Sequence, residues 1–405
     1  MSVDSSFLSF SVNQIWSRRN ILLLNKFVSC VAKINWALFG LVSGELNVSM
    51  IFLVNNPSDD VATIYTVDDI PENWSDYKKE QVKLALKGYQ TTPRKIMVYE
   101  CQAEQEITTP VLDKEGRETS ETKTEIIEAD FNNVLQKLEV TYFNWLVIPG
   151  IDEKYTDEIA TWIKGMRTTK DTEVCAVLPN CAADNEGVVN FTNTTIKTKD
   201  KEYSTADYCA RIAGIIAGTP ATISCTYEPL PEVVEVEQYT KEQMDAKVGN
   251  GEFFLFNDGE KIKVARGVTS FVSTIQGKGE DFKKIKLIEL MDMIHYDIKK
   301  TAHDSYIGKY ANSYDNRCLL ITAINGYLHT LETEGLLEKG RNNCYVDIEA
   351  VKNWRESNGL NTRDELESMK EIQIKELNLH DNVFLACDLS MFDAIENITV
   401  NCSVE

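Results

Sequence analysis

The sequence predicts an α/β protein: a mixed, mainly parallel sheet flanked by helices, followed by an α+β C-terminal domain. Three observations carry this. Between residues 48 and 217, apolar runs of strand length alternate with helix-length amphipathic stretches, the grammar of a sheet covered on both faces. After Pro229 and Pro231 the pattern changes to a tight hairpin followed by two long helices. With 405 residues and a hydrophobic share of 43%, the chain has material for two or three sizeable cores, which excludes global disorder.

In chain order, Met50-Ile51-Phe52-Leu53-Val54 reads as a buried strand, 75–89 as an amphipathic helix and Lys95-Ile96-Met97-Val98-Tyr99 as a second strand. A helix over 131–138, a strand from Trp145 stopped by Pro149-Gly150, and a helix over 152–167 with acidic residues in its first turn follow. Strand 174–178 and helix 205–217 continue the series. Within 100–128, nine acidic residues stand against three basic ones around Lys114-Glu115-Gly116-Arg117, predicting a solvated hairpin or loop that projects from the body.

The segment 226–236 is the expected domain boundary, giving an arm 1–47, an α/β domain 48–230 and a C-terminal domain 231–405. Phe253 to Phe256, then Asn257-Asp258-Gly259, then 261–265 predict a hairpin, because the Asx-Gly turn supplies the positive φ that tight hairpins need. Helices are expected over 281–301, with Phe282, Ile285, Ile288, Met291, Ile294 and Ile298 on one stripe, and over 315–337. Two strands, 383–387 and 398–402, close the chain.

The charge balance of 42 basic against 63 acidic residues, a formal −21, repels polyanions and excludes nucleic acid and anionic membranes as natural partners. Ten scattered cysteines without a CxxC pair read as reduced core thiols of a cytosolic protein, Cys175 and Cys181 among them. The apolar stretch 21–42 is broken by Asn25, Lys26, Lys33 and Asn35, which favours a buried or partner-covered segment over a membrane span.

Catalytic signals are missing. Gly214 to Thr219 has no lysine for phosphates, no GxGxxG follows a strand, and there is no GxSxG elbow. The four histidines show no zinc spacing, so His295 and His303, with Asp297 and Asp304 nearby, read as ordinary helix-end residues. No catalytic, cofactor or metal residue is assigned. Tyr306-Ile307-Gly308-Lys309 reads either as a helix stop with a left-handed glycine or as a loop presenting Lys309 to a partner.

A set of short motifs carries a family resemblance. They are Tyr89-Gln90-Thr91-Thr92-Pro93-Arg94-Lys95; Arg211-Ile212-Ala213-Gly214-Ile215-Ile216-Ala217-Gly218 leading to a proline turn and Ser224; the hairpin 252–265; Arg266-Gly267-Val268-Thr269-Ser270; Asp281-Phe282-Lys283-Lys284-Ile285; Tyr306 to Asn312; Asn382-Val383-Phe384-Leu385; and Asp393-Ala394-Ile395-Glu396-Asn397-Ile398. In this order the chain from about 48 to 405 resembles the contractile tail sheath proteins of bacteriophages and phage-tail-like injection machines, in a short form of the Gram-positive phage type without the usual outer domain.

The resemblance implies a non-enzymatic structural subunit of the virion tail, assembled in the host bacterial cytoplasm. It would polymerise helically around a tail tube protein, meet baseplate and tail terminator proteins, and contract to drive the tube through the host envelope without a cofactor. It also implies a C-terminal sheet that exchanges strands with neighbouring subunits: the terminal strand, Ile398, Thr399, Val400, Asn401, Cys402 and Val404, would be donated to a neighbour, with 6–12 as a second exchanging strand. The residues alone leave open whether that strand instead folds back on 383–387. A locally basic helix start, Lys283, Lys284 and Lys286, is expected to face the tube, the alternative being a solvated face. The contrasting expectation is an α/β enzyme or small-ligand binder with a pocket near Pro149 or Asn180, at the carboxyl ends of the strands.

Overall fold

In the computed structural model, which describes residues 46–112 and 118–403, the chain forms two compact units: 46–296 with 391–403, and 297–390. The stretches 6–12 and 21–42, the centre of the acidic segment and Val404 lie outside the described residues. Among those described, no helix is long and apolar enough to cross a membrane.

The first unit is laid out as β1 (Asn47–Val54), β2 (Ala62–Ile64), α1 (Asp76–Leu86), β3 (Lys95–Gln102), β4 (Gln105–Leu112), β5 (Glu118–Ile127), α2 (Asn132–Glu139), β6 (Trp145–Val147), α3 (Thr156–Thr169), β7 (Cys175–Pro179), β8 (Val188–Phe191), β9 (Ile196–Thr198), β10 (Glu202–Tyr203), α4 (Thr205–Ala217), β11 (Val233–Val236), α5 (Lys241–Gly249), β12 (Glu252–Phe253), β13 (Leu255–Asn257) and β14 (Ile262–Val264). Helix α6 (Ile285–Ser305) then carries the chain into the second unit, built from α7 (Tyr314–Thr333), β15 (Asn343–Val346), α8 (Ile348–Ser357), α9 (Arg363–Ser368), α10 (Glu371–Glu376) and β16 (Leu385–Asp388).

The main sheet has the order β12-β8-β7-β6-β1-β3-β2 and is parallel except for the edge strand β2. Its strands alternate between two cores, as the period of two requires. Val48, Met50 and Phe52 point to one face with Ile96 and Val98 beside them, while Ile51, Met97 and Tyr99 point to the other. Helices α1 and α4 contribute to the first core, α2 and α3 to the second. Ser75 caps α1 by accepting from the Lys78 N–H, and Ser204 caps α4 by accepting from Asp207. At Gly214 a Cβ would lie 2.1 Å from the Ala85 carbonyl oxygen, so glycine is what lets α4 approach α1 this closely.

The acidic segment forms the antiparallel pair β4–β5, with Gln105 opposite Ile127 and Thr108 opposite Thr124; its described side chains face mostly outward. The expected hairpin starts later than its sequence suggests. Phe253 belongs to β12, an edge strand parallel to β8, and only Leu255–Asn257 pairs with Ile262–Val264, turning through Gly259 at φ +100°. Residues 226–236, expected to be the domain boundary, lie inside the first unit, where β11 pairs with β9. Sequence periodicity also missed the short strand β8, whose four residues are buried.

In the second unit, β15 and β16 pair antiparallel, and Val346, Val351, Ile374 and Leu379 form the core beneath α8 and α10. Gly308 stands at φ +72° just after α6, the left-handed stop the sequence allowed. The expected closing strand 398–402 is not a strand, and the fold-back on 383–387 does not occur: β16 takes β15 as its partner instead.

Candidate assembly site

Three of the motifs, distant in sequence, meet in the first unit around one carboxylate. Glu396 accepts hydrogen bonds from the Thr226 hydroxyl (2.5 Å) and the Ser224 hydroxyl (3.3 Å), and its other oxygen pairs with the Arg266 guanidinium at 3.1 Å. Arg266 also donates to the Glu396 carbonyl at 3.2 Å and to Asn397 Oδ1 at 2.7 Å, so one side chain reads both backbone and side chain of the C-terminal segment. Gly267 lies against this socket; a Cβ there would meet Cys225 Sγ at 2.9 Å and Ser224 Oγ at 3.1 Å. The Arg266–Ser270 strip is fixed in turn to the start of α6, through Thr269 N–H to the Lys283 carbonyl (2.8 Å) and Ile285 N–H to the Gly267 carbonyl (3.0 Å).

The basic cluster serves the same segment. Lys284 pairs with Asp393 and lies 3.5 Å from Glu396; burial opposes its charge, yet those carboxylates raise its pKa. Lys286, only 6% exposed, donates to the Phe392 carbonyl at 2.5 Å, and burial pulls its pKa down. Lys283 pairs with the exposed Glu280 at 2.9 Å. All three lysines therefore have partners in their own chain, and the two that touch the tail are used to hold it.

Past Asn397 the anchoring stops. Ile398 is 78% and Val400 73% exposed, Thr399, Asn401 and Cys402 are exposed as well, and no described residue pairs with the 398–403 backbone. The segment keeps the alternation of a strand but has no ladder among the described residues. The sequence motifs contain Glu396 and Arg266 but assign neither a role; the signal available was a lone arginine beside a glycine and a C-terminal segment, 391–405, with acids and no basic residue of its own.

Elsewhere, a cavity of about 430 Å³ is lined by Arg167, Glu173, Glu186, Lys278, Asp292 and His295, not by Pro149 or Asn180. Its charges are largely matched: Arg167 grips Asp292 with two 2.7 Å bonds and reaches Glu173 at 3.0 Å, and Lys278 meets Glu186 at 2.5 Å. Asp171, Glu173 and His295 bring possible ligand atoms within 4.8 Å of one another, which could hold a cation, but the Arg167 guanidinium already sits on Glu173. Cys175 and Cys181 are core residues, and burial pushes both thiols up.

Residues 124–270 match the phage tail sheath protein central domain, and 277–405 match the phage tail sheath C-terminal domain. The chain is 38% identical over 268 residues to the tail sheath protein of Clostridium phage phiCD119, covering 66% of this chain and 74% of that one. Its fold is similar to the sheath tail protein of Desulfitobacterium hafniense (TM-score 0.61, 20% identity, 76% of this chain and 91% of the other). It is also similar to the sheath of an extracellular contractile injection system in the contracted state (TM-score 0.57, 12% identity, 88% and 92%).

Proposed function

The chain belongs to the phage tail sheath proteins and is a structural sheath subunit, and from that premise we propose that it polymerises by donating residues 398–404 to a neighbouring copy. The observation that carries this is a segment anchored firmly at Glu396 and, among the described residues, without a backbone partner immediately beyond it, with Ile398 and Val400 exposed. An extended segment whose N–H and C=O groups have no ladder gains most by adding to another chain's sheet edge. The anchor fixes where the donated strand leaves its own subunit. In this reading the subunits form a helical sleeve around a tail tube protein, capped by baseplate and terminator proteins in a virion tail assembled in the host bacterial cytoplasm. Contraction exchanges one packing of the lattice for a lower-energy one and needs neither catalysis nor a cofactor.

Removing residues 398–405 tests the strand donation. Electron micrographs and sedimentation should show folded monomer and no tubes; tubes of normal length would sink it.

A tube contact through Lys283, Lys284 and Lys286 is a second reading, favoured at Lys283 because its partner Glu280 is itself an exposed carboxylate. Lys283→Glu should weaken co-sedimentation with tube protein, whereas unchanged binding counts against the contact. Reversal at Lys284 or Lys286 would report on the tail anchor instead.

A further inference from the structure

Strands β15 and β16 place Cys344 opposite Cys387. In an antiparallel ladder, alternate pairs exchange both backbone hydrogen bonds, and the pairs between them exchange none and hold their side chains closer. Two observations fix which kind this pair is. The Asp347 N–H donates to the Phe384 carbonyl at 3.0 Å, three rungs away, so counting back alternately makes Cys344/Cys387 a non-bonded pair. The backbone of Cys344 is accordingly turned the other way: its N–H donates to Asn325 Oδ1 at 2.6 Å, and Asn325 Nδ2 donates to its carbonyl at 3.2 Å. Cα atoms in such pairs stand about 4.5 Å apart, at the near end of the separation a disulfide spans.

The two thiols differ in access. Cys344 is 1% exposed, whereas Cys387 is exposed. The interaction between the two sulfurs lowers the pKa of Cys387, and together with burial it raises that of Cys344. An accessible thiol with an enclosed partner beside it is the arrangement in which one sulfur reacts first and the other resolves.

We infer that Cys344 and Cys387 form a redox-responsive dithiol that a low-molecular-weight disulfide oxidises to one cross-strand disulfide. The Cys387 thiolate attacks a sulfur of the small disulfide, forming a mixed disulfide and releasing one small thiol. Cys344, losing its proton, then attacks the Cys387 sulfur and releases the second. Two protein thiols are oxidised, one small disulfide is reduced to two thiols, and no other oxidant is needed. The bond would tie β16 covalently to β15 and so fix the strand from which the chain runs on to its C-terminal segment.

The test uses the full chain, purified reduced and incubated with oxidised glutathione, followed by peptide mapping under non-reducing conditions. The expected result is a 344–387 linked peptide, reversed by dithiothreitol, and a melting temperature raised on the order of 10 °C for the second unit. Cys344→Ser should trap glutathione on Cys387, and Cys387→Ser should leave Cys344 unmodified. Wild-type protein that keeps glutathione on Cys387, links it to a different cysteine, or leaves both thiols free would overturn the inference, and this mapping does not depend on either variant folding.

Discussion

Strand β1 and the segment 398–403 are both short runs rich in strand formers, and they end in opposite environments. β1 pairs with β3 along its whole length and with β6 over Val48–Met50, and Val48, Met50 and Ile51 are fully buried between two helical layers. Along 398–403 no described residue pairs with the backbone, and the apolar side chains stand in solvent. The difference lies in the supply of partners: strand propensity measures how well a side chain fits a pleated, half-buried surface, and among the described residues that surface meets β1 and not 398–403. The tail carries the same pattern without such a surface among the described residues. The two regions also use their carboxyl groups differently. Glu289, close to β6, is half-buried and accepts from the Trp145 indole N–H at 3.0 Å, whereas Glu396 is met by two cations and two hydroxyls.

The largest effect should come from Met50→Asp, which puts an unpaired charge into the first core. A loss of at least about 3–5 kcal/mol is expected, read as insoluble or unfolded protein by circular dichroism; a folded variant would break the contrast at its strong end.

Next is a pH effect at Glu289. Burial raises its pKa to about 8, although the Trp145 bond pulls the other way. The native state then holds a proton that the unfolded chain releases above its ordinary value of 4.5, so stability falls as pH rises from there to about 8 and is level beyond. The slope is at most about 1.4 kcal/mol per pH unit. Glu289→Gln keeps an acceptor for Trp145 and should flatten this part of a denaturation series; an unchanged slope would assign it to another group.

Arg266→Ala should cost about 1–3 kcal/mol by leaving Glu396 without its closest cation. Hydrogen exchange should accelerate across 391–397, with β1 unaffected. Fast exchange spreading into β1 would show that the tail is part of the core.

The smallest stability effect should be at Ile398. Ile398→Asp is expected to change folding free energy by no more than about 0.5 kcal/mol while reducing tube formation in micrographs. A clear loss of stability would mean that the residue already packs within its own subunit.

Much of the fold was legible because it follows from local chemistry. The apolar run Met50 to Val54, the acidic first turn of the helix after Asp152 and the Asn257-Asp258-Gly259 turn each specify their element within a few residues. The convergence of Ser224, Thr226, Arg266, Lys284 and Glu396 was not legible, since it joins positions up to 172 residues apart and no local rule relates them. Lys286 illustrates the same gap. It reads as one of three surface cations at a helix start, and only packing against residues 392–396 shows that it is buried and donating to a carbonyl.

The sequence by itself determined the layered α/β body, the acidic hairpin, the family resemblance and the absence of familiar catalytic motifs, because periodicity, turn chemistry and charge are properties of neighbouring residues. Tertiary structure decided that Phe253 extends the main sheet, that β16 pairs with β15 and sets Cys344 against Cys387, and that the tail is held at Glu396 and, among the described residues, unpaired beyond it. Those outcomes depend on which backbone donors and acceptors find partners in space, and the spacing of residues along a chain does not encode that directly.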